Sequence, residues 1–241
     1  MDETRDRSTK GLKVLCIDVF NRPELLRSTL ASIPKGGAGW KVYLSLDKDT
    51  PQSVENICIE FERSGVPTKR WKQGHQMGCR LNTFNVCHIA MLDGAECILC
   101  MDDDITLSPD ALKLCDWYLS KPELLDTKTC AGLALCRRFF NDPDRPNSIT
   151  HDDHGHLGQG HCFTRQMWFD FIARSFWVYE PTYYGGADWS VAAEAVRTNR
   201  KVFRPRFARA KHSAAVGYHG PGIGIFPDQI SDGKHTDYVL E

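Results

Sequence analysis

An α/β fold, a mostly parallel sheet flanked by helices, is what this sequence predicts, and three features carry the prediction. Short apolar runs at 13–20, 41–46 and 96–101 alternate with stretches whose apolar residues recur at helical spacing. The links between them are brief, as right-handed βαβ units require. The runs are also nearly continuous in hydrophobicity, the texture of strands buried on both faces.

Taken in order, residues 1–10 are charged and polar and read as a disordered leader. The run 13–20 is the first strand. Asn21-Arg22-Pro23 follows it, with Pro23 suited to the first turn of a helix whose stripe is Leu25, Leu26, Leu30 and Ile33. A second strand, 41–46, ends at Asp47. Thr50-Pro51 opens a helix bearing Val54, Ile57, Cys58 and Phe61, and Gly65 stops it. A short strand at 66–71, a glycine-bounded loop at 74–78 and a helix at 80–92 with Gly94 past its end lead to the fourth strand, 96–101. That strand runs into Asp102-Asp103-Asp104. Ser108, Pro109 and Asp110 then read as N-cap, first helical residue and first-turn acid of a helix reaching Leu119.

The texture changes after this point. One more strand is expected at 131–136, followed by a long polar loop over 137–160, a length associated with function or disorder. An aromatic-rich helix at 168–177, a helix at 190–198 behind Gly185-Gly186, and a strand at 201–204 precede a tail rich in glycine, histidine and basic residues at 206–227. No repeat and no linker divides the chain, so residues 11–241 read as a single domain.

Bulk properties narrow the function. The chain has 241 residues, 41% hydrophobic, enough for a sizeable core. Its net charge of −1 exerts no general pull on nucleic acid or anionic lipid, which disfavours a polymeric nucleic-acid partner. No run reaches the roughly 18 apolar residues of a membrane span, and the charged, polar residues 1–10 do not read as a signal peptide. Most of the 10 cysteines sit inside apolar runs and read as buried free thiols, which suggests a reducing, cytoplasmic setting. Cys97 and Cys100 have CxxC spacing but fall within a strand and lack a second pair, so zinc is not expected there. Neither a GxGxxG fingerprint nor a Walker A loop occurs.

Chemistry concentrates at the acidic triplet. Three adjacent carboxylates repel one another unless a cation intervenes, and hard divalent ions, Mn²⁺ or Mg²⁺, prefer oxygen ligands. The triplet also sits where a buried strand leaves the sheet, the edge where open α/β sheets bind ligands. Asp47 closes the second strand, which a parallel sheet would put on the same edge, either as a turn residue or as an acceptor for a uracil or ribose. Asp188, between Gly185-Gly186 and Trp189, is a helix-start acid or a general base. The loop His151-Asp152-Asp153-His154-Gly155-His156 has metal-type residues but no regular spacing to aim them, so a lid or acceptor-facing loop is expected ahead of a metal site. His212 is an exposed loop histidine or a ligand. Arg204, Arg206, Arg209 and Lys211 form a basic cluster suited to gripping a diphosphate.

In this order the motifs resemble the GT-A glycosyltransferases, most closely the inverting N-acetylglucosaminyltransferases acting on mannose. Asn21-Arg22-Pro23 resembles that family's first nucleotide-contacting turn, and Leu44-Ser45-Leu46-Asp47 the strand whose aspartate binds uracil. Asp102-Asp103-Asp104-Ile105 with Ser108-Pro109 is similar to the family's DxD-type acidic triplet and its following proline. Gly158-Gln159-Gly160 resembles the segment opening onto the acceptor, Ala187-Asp188-Trp189 the pair bearing the catalytic base, and 204–220 the loop that closes over the nucleotide-sugar.

The resemblance implies a single GT-A-type domain with a nucleotide-sugar-binding half at 11–108 and an acceptor and catalytic half at 109–241. It implies a metal-dependent inverting transfer from a UDP-sugar to an acceptor hydroxyl, with Mn²⁺ or Mg²⁺ on Asp104 and His212 and with Asp188 as base. Asn21, Arg22, Asp47, Arg80, Asp102, Asp103, Arg209 and Lys211 would bind the nucleotide-sugar, Asp102 facing the ribose and Asp103 the donor sugar. Family members are anchored Golgi enzymes with disulfides. No anchor is visible here, so a cytoplasmic protein is expected, or else a Golgi-luminal catalytic domain lacking its anchor. Two rivals stand beside this reading. A sugar-nucleotide pyrophosphorylase would carry a glycine-rich basic loop where Asn21-Arg22-Pro23 stands. The other rival is a non-catalytic module that binds a nucleotide-sugar or a metal. The acceptor class stays open.

Overall fold

The computed structural model describes residues 11–34, 39–136, 141–152, 160–178, 187–213, 216–217, 220–221, 229–234 and 236–241. Strand β1 (Leu12–Val19), helix α1 (Pro23–Ser32), β2 (Trp40–Leu46), α2 (Gln52–Glu62), β3 (Thr68–Lys72), α3 (Gly78–Leu92) and β4 (Ala95–Asp102) come first. These are the alternating elements the sequence predicts, shifted at their ends by a residue or two. β1 pairs in parallel with β2 and with β4, and β2 pairs in parallel with β3. Val14, Leu15, Ile17, Leu44, Ile98 and Leu99 are completely buried; each contributes about 1.5–3 kcal/mol through the apolar area it removes from water.

Strand order decides which helix covers which face. The chain steps from β1 to β2 to β3 in one direction across the sheet and then returns to β4 on the far side of β1. With right-handed crossovers, α1 and α2 lie on one face and α3 on the other. The alternation of side chains along β1 agrees: the Cys16 thiol donates to the Val86 carbonyl of α3 at 3.7 Å.

The second half departs from expectation at several points. After β4 comes a three-residue strand, β5 (Ile105–Leu107), and helix α4 (Ala111–Leu119) starts two residues later than Pro109. Ser108 does not cap it; its hydroxyl donates to Asp110 Oδ1 at 2.7 Å, because Asp110 has another partner described below. β6 (Cys130–Ala134) lies where a strand is expected. β7 (Ser148–Asp152) lies within the stretch read as loop, and β8 (His161–Thr164) in a stretch assigned to no element. Next come α5 (Arg165–Met167), a π-helical turn (Trp168–Ile172), α6 (Ala173–Ser175), α7 (Ala187–Arg197), β9 (Lys201–Pro205), β10 (Ala210–His212), β11 (Val216–Gly217), β12 (Gly220–Pro221) and β13 (Val239–Leu240).

One nine-stranded sheet runs through both halves in the order β13-β7-β9-β6-β8-β4-β1-β2-β3. β8 pairs antiparallel with β4 and β6, and β7 pairs antiparallel with β9. The sheet is otherwise parallel. Gly132 in β6 has φ +133°, and a Cβ there would lie 2.2 Å from His161 Nε2, so β6 and β8 approach this closely only at glycine. Eight of the ten cysteines are buried, as the apolar runs imply. No helix among the described residues is long and apolar enough to cross a membrane.

Candidate active site

The C-terminal ends of β1 and β4 meet at the acidic triplet. Asp103 and Asp104 are each about 1% exposed. The Arg22 guanidinium, at the head of α1, donates one arm to Asp103 Oδ1 and the other to Asp104 Oδ2. The Phe20 N–H donates to Asp103 Oδ2 at 3.1 Å, and the Thr29 hydroxyl of α1 donates to the Asp103 carbonyl at 2.9 Å. Pro23 in the first helical turn fixes the direction of α1, which is how Arg22 comes to face the acids.

His212 arrives from the other end of the chain. β10 pairs antiparallel with β5, setting His212 opposite Ile105, and its Nε2 lies 3.2 Å from Asp104 Oδ2. The structure therefore brings together Arg22, Asp103, Asp104 and His212, all singled out in the sequence. Asp104 Oδ1 is buried and has no hydrogen-bond partner.

Asp18 belongs to the same acidic centre and was not singled out. It pairs in register with Asp102 across β1 and β4 and is 8% exposed, with Oδ1 also lacking a hydrogen-bond partner. A lone acid inside an otherwise apolar strand was its signal in the sequence. Burial, then the Asp103 carboxylate, pushes its acid up to about 7. Burial also raises Asp103, and the opposing pull of Arg22 does not cancel it. The Arg22 guanidinium is itself raised, because the Asp103 and Asp104 charges outweigh its partial burial. Four carboxylates face one guanidinium here, an excess of negative charge that a divalent cation would relieve. The residues fit such an ion. Asp104 presents an unpartnered buried oxygen, with an imidazole nitrogen beside the other oxygen of the same carboxylate.

The raised Asp18 acid carries a pH signature. In the folded state it keeps its proton between about pH 4 and 7, where the unfolded chain has released it, so metal-free stability falls as pH rises through that window. Asp18→Asn is therefore expected to raise the melting temperature of chelator-treated protein at pH 8, by at most about 4 kcal/mol of stability at 1.36 kcal/mol per unit, and by less at pH 5. Equal melting of the two proteins at pH 8 would sink this assignment.

The remaining predicted site residues fall into two groups. Asp47 is 3% exposed, and its oxygens accept backbone N–H groups from Lys48 (2.7 Å), Met77 (2.8 Å) and Gly78 (2.8 Å). It holds the start of α3 in place, as a carboxylate at a helix N-terminus does. Arg80, in the first turn of α3, donates to Ser190 Oγ at 3.0 Å and lies 5.9 Å from the exposed Trp177 ring, tying α3 to α7. Burial lowers its guanidinium. Asn21 is exposed beside Arg22, and Asp102 is half-buried.

Arg209 corrects the expected basic cluster. It is fully buried, its Nε 2.6 Å from Asp110 Oδ2 and its Nη2 2.8 Å from the Pro146 carbonyl, so a diphosphate cannot reach it. Arg204 is 4% exposed and donates to the Cys136 carbonyl at 3.2 Å. Arg206 reaches Glu241 Oε2 at 2.5 Å. Lys211 is half-buried in β10 next to His212, on the opposite side of that strand. Arg204, Arg206 and Arg209 are thus each engaged by partners within the protein.

The backbone at Asp188 lies in the first turn of α7; its side chain is outside the described residues. His151 and Asp152 end β7, while 153–159, with Gly158 and Gln159, and 179–186, with Gly185 and Gly186, lie outside the described residues, as does the leader 1–10.

No protein-family model and no curated protein matches the sequence. Solved structures do match in fold. One is the mannosyltransferase PcManGT from Pyrobaculum calidifontis in complex with GDP-Man and Mn²⁺, with TM-score 0.55, 13% identity, and 82% of this chain aligned to 55% of that one. Another is S. aureus TarS 1–349 in complex with UDP-GlcNAc, with TM-score 0.58, 14% identity, and 86% of this chain aligned to 60% of that one. The same protein with UDP aligns at TM-score 0.53 over 80% of this chain and 57% of that one. The chain thus spans between half and two thirds of the length of these structures and shares their mixed α/β fold.

Proposed function

We propose that this chain is a glycosyltransferase of the GT-A type, moving a sugar from a UDP-sugar to an acceptor hydroxyl with inversion and with a divalent cation. The observation that carries the reading is the convergence of Arg22 and His212 on Asp103 and Asp104, at the sheet edge where ligands bind, with Asp104 Oδ1 buried and unpartnered. The fold shared with structures holding GDP-Man and Mn²⁺ or UDP-GlcNAc supports it. Residues 11–108 are the donor half and 109–241 the acceptor half of one domain.

In this reading Asp104 and His212 hold Mn²⁺ or Mg²⁺, which supplies positive charge against the diphosphate leaving group. Arg22 orients Asp103 and Asp104 and stands ready to meet a donor oxygen. Asp102 faces the ribose, and Asn21 flanks the donor, whereas Lys211 lies on the side of β10 away from His212. Asp47 serves by holding the loop and helix start that carry Arg80. Asp188 takes the proton of the acceptor hydroxyl as that oxygen attacks the anomeric carbon from the face opposite the leaving group. The Arg80–Ser190 bond supports this assignment, because it ties the first turn of α7, which carries Asp188, to the first turn of α3. A single displacement needs one base and no nucleophile from the enzyme. The Asn21-Arg22-Pro23 turn, in place of a glycine-rich basic loop, disfavours a pyrophosphorylase.

The test is UDP or GDP release from a panel including UDP-GlcNAc and GDP-mannose, with Mn²⁺ and with chelator. Metal-dependent release is expected from a UDP-sugar, and release unaffected by the chelator would overturn the metal assignment. Binding of a nucleotide-sugar without any turnover would favour the non-catalytic module. For Asp188→Asn, donor affinity should hold while transfer falls about 100-fold or more, the scale of losing a general base. Equal transfer by variant and wild type would remove Asp188 from that role.

A further inference from the structure

We infer that Asp18, Cys79 and Asp102 form a binding site for a borderline divalent cation of the zinc class, separate from the hard-ion position at Asp104. One ligand atom from each of the three residues lies within 4.8 Å of the other two.

The fold builds this triad from three elements. Asp18 and Asp102 are register partners on adjacent parallel strands and project side by side toward the face covered by α3. Cys79 sits in the first turn of α3, on the helix stripe that continues through Thr83 and Cys87 into the core. The start of α3 is itself anchored, since Asp47 accepts the Met77 and Gly78 N–H groups. His212 reaches Asp104 through the β5–β10 ribbon, so the two ion positions share the end of β4 but draw their other ligands from different elements.

Acids and a cysteine in proximity do not define a site. The independent observation is Asp18 Oδ1, which belongs to a side chain more than nine-tenths buried and has no hydrogen-bond partner. A buried carboxylate oxygen left this way costs about 1–3 kcal/mol or more unless a cation or donor meets it. Cys79 is exposed, in contrast to the eight buried thiols, so an ion can reach the triad from solvent. Two carboxylate oxygens and a thiolate are a mixed hard and soft donor set that suits zinc better than magnesium or manganese. Tetrahedral zinc places ligand atoms about 3.5 Å apart, a contraction within reach of side-chain rotation. Binding turns the Cys79 thiol into thiolate and releases its proton to solvent. The inference does not depend on glycosyl transfer.

The experiment uses full-length protein freed of metal, kept reduced with a phosphine that does not bind zinc, and free of nucleotide. Zn²⁺ is titrated by calorimetry, and Co²⁺ by the thiolate-to-metal absorption that only a sulfur ligand produces. Wild type should bind Zn²⁺ with a component that depends on Cys79, and show the Co²⁺–thiolate band. Cys79→Ser should lose the band and weaken Zn²⁺ by at least about 10-fold, the cost of removing even an outer-shell partner. Asp18→Asn should weaken Zn²⁺ as well, whereas Asp104→Asn should keep the band. No Zn²⁺ binding, a band that persists in Cys79→Ser, or a band lost in Asp104→Asn would each overturn the inference. Because no arm contains a donor sugar, failure of the glycosyltransferase reading would leave these results intact.

Discussion

Asp104→Asn is expected to lower metal-dependent sugar transfer by about 100-fold or more, the scale seen when one preorganised charge partner of a transition state is removed. The substitution keeps the shape of the side chain and one acceptor for Arg22, while Asp103 continues to hold the other arm of the guanidinium. It removes the negative charge and the ligand character of a carboxylate that is about 1% exposed and has an unpartnered Oδ1. Folding should therefore survive, with a thermal melt close to that of wild type, while Mn²⁺ ceases to stimulate nucleotide release. His212→Ala should lie between the two, since it removes a neutral ligand and leaves the charge. The measurement is initial rate against Mn²⁺ concentration for all three proteins. A rate for Asp104→Asn equal to wild type at every Mn²⁺ level would move the metal elsewhere.

Asp110→Ala should produce the largest loss of stability. Asp110 and Arg209 are both completely buried, their charged atoms 2.6 Å apart. The Tyr238 hydroxyl donates to the same Asp110 oxygen at 3.0 Å, and the Ser108 hydroxyl donates to the other oxygen. Removing the acid leaves the guanidinium buried without its counter-charge, a change that costs about 3–5 kcal/mol. For a chain of this size that corresponds to a fall in melting temperature of roughly 10 °C. The brace joins the start of α4 to the segment before β10, so it also sets the approach of His212 to Asp104. Replacing both partners with apolar residues of matching volume should recover most of the loss, since no uncompensated charge then remains. A melt within 2 °C of wild type, less than about 1 kcal/mol on this scale, would show that the pair contributes little. The double replacement also tests the correction at Arg209: with the brace repacked rather than broken, nucleotide affinity per folded molecule should stay close to that of wild type.

The division between what was legible and what was not follows the physics of each element. β1, β2 and β4 announce themselves because strands buried on both faces need long apolar runs, and α1 to α3 because an amphipathic stripe recurs every three to four residues. β7, with the sequence SITHD, and β8, with HCFT, show no such pattern. They are strands because β9, β4 and β6 offer them hydrogen-bonding edges, and β-propensity is largely a property of such neighbours. The helix start at Ser108-Pro109-Asp110 failed for a related reason. Asp110 is drawn to a cation 99 residues away rather than to the local backbone.

The same logic separates the site residues. The sequence alone determined the α/β class, the acidic triplet at a strand's end, and the proline that opens the helix behind Arg22, because each depends on residues within one or two elements; that Arg22 meets acids 81 and 82 residues away was decided by the tertiary structure. Only the tertiary structure decided that Asp18 joins the acids, that Arg209 is consumed by Asp110, and that His212 reaches Asp104. Each of these depends on register between strands distant in sequence, and a charge finds its partner by proximity in space, which local sequence does not encode.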